Sequence, residues 1–196
     1  MAGRISVAAL CAVAILSGCM DGTGAQTVAE TRRTIAGVTI TGPHGYCIDK
    51  AASNATFVLL GACDSLYGSA IAPRHYAILS AAVAEPDTDA PIPLADYATF
   101  FASDIGRAAL SRDGDASTVT LLASDIRRDV LFLQISDTSQ LNAGSLAAEY
   151  WRALLRVDGR IVTLNVLSPG ADPLTAPEGQ AKLAAFVVAI NDANAD

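Results

Sequence analysis

Histidine, lysine and tryptophan are almost missing from this chain of 196 residues, which holds two histidines, His44 and His75, two lysines, Lys50 and Lys182, and one tryptophan, Trp151. Two histidines leave little scope for imidazole chemistry. No His-Glu-x-x-His, Gly-x-Ser-x-Gly, Ser-x-x-Lys or phosphate-cradling glycine loop occurs. Positive charge is also scarce, with 13 Lys and Arg against 20 Asp and Glu and a net charge of -7. Phosphate tracking needs a basic face, so nucleic acid is not an expected partner. The acidic trio Glu85, Asp87 and Asp89 sits in a Pro-containing loop without the glycine and downstream bidentate glutamate of a calcium loop, and reads as solvated. Neither a metal nor a cofactor is expected.

Long apolar runs are lacking too, except at the N-terminus. Arg4 precedes an apolar run from Ile5 to Leu16, then two small residues and Cys19. About a dozen residues fall short of the roughly 20 that a membrane-spanning helix needs, so residues 1–18 read as a signal peptide. The ending Leu16-Ser17-Gly18-Cys19 resembles the lipobox of secreted bacterial lipoproteins. That resemblance implies cleavage before Cys19 and acylation of its thiol and new amine. Two or more acyl chains, at about 0.8 kcal/mol per buried methylene, give stable anchoring. The same resemblance, with Met20 rather than Asp after the lipidated cysteine, favours the outer over the inner membrane. Residues 19–34 are polar and aperiodic, and read as a flexible lipid-anchored tether.

Behind the tether, residues 35–196 are of a length for one domain. Cys11 leaves with the signal and Cys19 carries lipid, so Cys47 and Cys63 are the thiols left to pair in an oxidising compartment. The alternative, a redox-active pair, favours Cys-x-x-Cys spacing instead.

Strands are expected at Val38–Thr41, Thr56–Leu60 and Ala77–Val83, from β-branched runs bounded by turn residues. A helix is expected over 94–110 with a break near Ser103-Asp104, where a polar cap restarts it. Thr118–Ser124 and Val130–Ser136 read as antiparallel strands joined through Asp125–Asp129. Asp158-Gly159 between two strand-like runs signals a type I′ hairpin, which pairs Leu155 with Val162, Ala153 with Leu164 and Trp151 with Val166. The opposite face then receives Arg152 with Asn165 and Arg156 with Ile161. Thr175-Ala176-Pro177-Glu178 is a capping-box start, and Leu183, Phe186, Val187 and Ile190 form one apolar stripe beyond it. The expected fold is α+β: a single domain with an antiparallel sheet, packed helices and one disulfide.

Gly42–Asp49, Phe57–Cys63 and Tyr150–Asn194 resemble an uncharacterised lipoprotein family of α-proteobacteria, especially Rhodobacter relatives. The arrangement is also similar to the PsbP-like α/β/α sandwich, in which a C-terminal hairpin precedes a covering helix. Neither resemblance brings a catalytic residue, and PsbP-like domains mostly act as assembly or accessory factors. The expected role is a lipid-anchored, periplasm-facing binding or accessory module with another envelope protein as partner. His44, Tyr46, Tyr67 and Tyr76, around the disulfide loop, are the expected contact surface, since tyrosine offers apolar area with a polar tip. Packing over the disulfide is the alternative use of these tyrosines. Two other functions remain: a periplasmic hydrolase with His44 or His75 as base and Ser53, Ser65 or Ser69 as nucleophile, or a small-ligand carrier. A carrier needs an apolar cavity between sheet and terminal helix.

Overall fold

The structure, a computed structural model, describes residues 28–86, 91–139 and 145–195. Local turn chemistry sets its C-terminal half. Asp158 and Gly159 both take positive φ, 48° and 72°, and join β8 (Leu146–Val157) to β9 (Arg160–Pro169). All five pairings expected from that turn are present, including Trp151 with Val166 and Arg152 with Asn165. A second tight hairpin joins β6 (Val119–Arg127) to β7 (Val130–Asp137) through Arg128 and Asp129, whose φ values are 50° and 59°. The expected loop 125–129 is therefore two residues long. Neither of its residues is glycine, so the sequence carried no turn signal there.

Earlier in the chain come β1 (Arg32–Ile35), β2 (Val38–Thr41), β3 (Tyr46–Asp49), β4 (Phe57–Ala62), α1 (Cys63–Tyr67) and β5 (Ile78–Val83). The expected tether is shorter than 19–34, because Arg32–Thr34 belong to β1 and pair with β2. α2 (Leu94–Ala102) and α3 (Asp104–Leu110) meet at Ser103, whose hydroxyl accepts from the Gly106 N–H at 3.1 Å. This is the expected break and cap. The final element is α4 (Ala176–Ala193).

Seven strands form one antiparallel sheet in the order β3-β4-β5-β9-β8-β7-β6, and β1-β2 pair separately. Adjacent residues of β8 show why both faces are covered. Trp151, Ala153 and Leu155 join Leu183, Phe186, Val187 and Ile190 of α4 in one core. Tyr150 and Leu154 point the other way and join Phe101 of α2 and Leu110 of α3 in a second core. The domain is thus α+β, with helices on both faces and a Cys47–Cys63 disulfide whose Cα atoms lie 4.9 Å apart.

Polar clamps hold the layers in place. The Tyr150 hydroxyl donates to the Leu110 carbonyl at 2.6 Å, pinning α3. Asn194 accepts from the Thr39 N–H at 2.8 Å and donates to its carbonyl at 2.9 Å, tying the end of α4 to β2. At the start of α4, the Glu178 carboxylate accepts from the Thr175 N–H at 2.9 Å and hydroxyl at 2.7 Å, the Glu arm of the expected capping box. Among the described residues no helix is long and apolar enough to cross a membrane.

Candidate functional site: a groove beside the terminal helix

α4 rests mainly on β8, β9 and β2. The same face of the sheet continues into β7 and β6, and there a groove of about 660 Å³ opens beside the helix. Its floor carries Val130 and Phe132 of β7, its back is Trp151, and its wall is Leu183, Ala184 and Val187 with Val188 at the rim. Strand alternation explains the floor, because Val130, Phe132 and Gln134 are the β7 residues on the α4 side while Leu131, Leu133 and Ile135 fill the opposite core. The wall is low because α4 has alanine at 181 and 184. Val188, next on that stripe, is 55% exposed.

The two ends of the groove differ. At one end Gln180 donates to Gln134 at 3.2 Å. At the other lies the β6-β7 turn, where Arg127 Nε meets Asp125 Oδ2 at 2.7 Å and its guanidinium sits 4.9 Å from the Phe132 ring centroid. Arg128 also lines this end and has no ion-pair partner among the described residues. Trp151 is 1% exposed, and its Nε1 has no hydrogen-bond partner among the described residues. Gly179 makes that indole position possible, since a Cβ there would come within 2.3 Å of Trp151 ring carbons.

β6 is an edge strand with Leu122 and Ile126 exposed. A register shift between Leu121 and Ala123 and the charges of Asp125, Arg127 and Arg128 blunt that edge.

The residues expected to form a contact surface fare unequally. Tyr46 is 3% exposed, donates its hydroxyl to the His75 carbonyl at 3.0 Å and lies under the Lys182 ammonium. It is a core residue, which corrects its assignment to the surface. Its own strand alternation points it at α4, and burial pushes its phenol well above the ordinary value. Tyr67 is half-buried, with its hydroxyl donated to the Ile48 carbonyl at 2.7 Å. Tyr76 stays exposed and donates to an Asp64 carboxylate oxygen at 2.5 Å. His44 is exposed in its turn, and His75 Nε2 faces Glu178 Oε1 at 3.3 Å.

Among the described residues no serine hydrogen-bonds to either histidine. The Ser53 hydroxyl donates to the Asp49 carbonyl at 2.6 Å and accepts from the Leu59 N–H at 3.0 Å, and the Ser69 hydroxyl accepts from the Ile71 N–H. Among the described residues no three His, Cys, Asp or Glu side chains gather at one point. Cys19, the expected signal peptide and most of the expected tether lie outside the described residues, as do Asp87 and Asp89.

Sequence reasoning paired Arg152 with Asn165 but did not give their surroundings. Arg152 Nε donates to Asn165 Oδ1 at 2.7 Å, and Asn165 in turn donates to Ser80 Oγ at 3.1 Å, making a polar row across three strands. Burial pulls the guanidinium below its ordinary pKa, and the Tyr150 ring lies 5.8 Å from its centre. The groove itself was missed, since it depends on which strands α4 leaves uncovered. The local signal was the run of small residues at 181, 184 and 185 beside the apolar stripe. Compared with family models, curated proteins and solved structures, the chain finds no match.

Proposed function

We propose that this chain is a lipid-anchored cell-envelope protein that faces the periplasm and acts as a binding or accessory module, with the groove beside α4 as its contact site. The observation that carries the reading is the open half of the sheet face over β6 and β7, an apolar floor with a built wall and a cationic end. The Cys47–Cys63 disulfide supports an oxidising compartment. Leu16-Ser17-Gly18-Cys19 supports the anchor.

Fractionation of cells expressing the chain and its Cys19→Ser form tests the anchor. The expected result is membrane-bound protein of outer-membrane density that moves to the soluble periplasmic fraction on substitution, with an unchanged melting temperature. A Cys19→Ser protein that stays with the membrane contradicts it. The groove also favours the ligand-carrier form of this reading. Trp151 and Phe186 fill the space directly between sheet and helix, and the groove lies to one side of them. The hydrolase reading gains no supporting contact, because the oxygen facing His75 belongs to Glu178 rather than to a serine.

A further inference from the structure

We infer that the groove beside α4 holds a long-chain fatty acid, its acyl chain along Val130, Phe132 and Val187 and its carboxylate at Arg127 and Arg128. The inference rests on the reading of this groove as the binding site and names what enters it.

Dimensions select the occupant. The α4 residues that line the groove run from Pro177 to Asn191, a reach of about 21 Å at a rise of about 1.5 Å per residue. Spread over that length, 660 Å³ leaves a cross-section of about 30 Å², the width of a single extended chain. A peptide would bring an N–H and a C=O per residue needing partners. The middle of the groove, formed by Val130, Phe132, Leu183, Ala184 and Val187, has no side-chain hydrogen-bonding group to meet them. A hydrocarbon chain needs none.

Length and charge orient the ligand. One acyl chain spans half of a bilayer's hydrocarbon core, about 15 Å, so the groove takes it with several ångströms left at one end. That remainder suits a carboxylate rather than a glycerophosphate head. Gln134 and Gln180 are already bonded to each other at one end. At the other, Arg127 and Arg128 face a single acid, Asp125, since Asp129 at the turn lies outside the lining. Arg127 already engages a carboxylate there, and the guanidinium fork matches a second.

The single tryptophan reports on the site, because Trp151 forms the back of the groove. Full-length chain carrying Cys19→Ser is titrated with a bromine-labelled long-chain fatty acid while Trp151 fluorescence is read. Saturable quenching is expected, about tenfold weaker in the Arg127→Gln/Arg128→Gln double variant and with a bromine-labelled fatty alcohol. It is expected to vanish in Ala184→Phe, which places a ring in the groove from an exposed position and leaves near-UV circular dichroism unchanged. Absence of saturable quenching, equal binding of the alcohol, or full binding by Ala184→Phe each overturns the inference. Tighter binding of a bromine-labelled single-chain phospholipid overturns the fatty-acid assignment while leaving the groove as the binding site. Failure of every probe, together with absence of any adduct from a photo-crosslinking side chain placed at position 188 in cells, overturns both.

Discussion

Two residues fix the interior most sharply, Gly179 and Asp137. Gly179 is helical and needs no unusual φ; its role is to let the Trp151 indole lie against α4. Gly179→Ala forces the ring or the helix to shift and is expected to cost about 1 to 3 kcal/mol in denaturant unfolding, although alanine is the better helix former. Unchanged stability would show that the indole moves freely. Asp137 is buried and accepts hydrogen bonds from the Arg112 and Ser139 N–H groups at 2.8 and 2.9 Å and from the Thr118 hydroxyl at 3.1 Å. Burial pushes its pKa upward, but the hydrogen bonds outweigh burial and hold it below the usual carboxylate range. The unfolded chain therefore binds the proton first as pH falls. Its stabilisation is complete above the unfolded pKa of about 4 and declines as pH drops through the lower folded value. Asp137→Asn sets an amide donor against those N–H groups, should cost about 1 to 3 kcal/mol at neutral pH, and should flatten the acid limb of the stability profile. An acid limb identical to that of the parent would remove Asp137 as its source. Neither role was legible from sequence, because each depends on a partner far along the chain or across a layer.

Elements with local signals were legible, and those defined by distant partners were not. The β8-β9 register followed from Asp158-Gly159, and α4 from Thr175 and Glu178 with the stripe at 183, 186, 187 and 190. The α2-α3 break followed from Ser103, and Ser103→Ala is expected to destabilise the domain by about 1 kcal/mol in thermal or denaturant melts. A loss below a few tenths would mean that α3 is held by Leu110 packing alone. By contrast β9, late in sequence, sits between β5 and β8, a non-local pairing that no short motif announces. Strand β1 lay hidden in polar residues that sequence reasoning assigned to the tether, and the β6-β7 turn uses arginine and aspartate where glycine or asparagine is usual. The disulfide staples the start of α1 to β3, near the sheet edge. Replacing both Cys47 and Cys63 by alanine is expected to cost about 3 kcal/mol for a loop of this length. A melting temperature unaffected by the double replacement would contradict that role.

At the scale of the whole molecule, the domain is asymmetric in how it closes its two faces. α2 and α3 serve one face, and α4 with the β1-β2 hairpin serves the other but leaves β6 and β7 partly open. A groove of this kind arises because a seven-stranded sheet is wider than one helix, about 10 to 12 Å across, can cover. The open strip faces an alanine-containing wall and ends in arginines within an acidic protein. We propose this strip as the working surface of a membrane-tethered module. Its most direct test is a photo-crosslinking side chain in place of Val188 in the lipidated protein in intact cells, with Ala95 on the opposite layer as control and adducts identified by mass spectrometry. An adduct is expected at position 188, abolished by Ala184→Phe and not formed from position 95. No adduct at 188, or the same adduct from both positions, would contradict it.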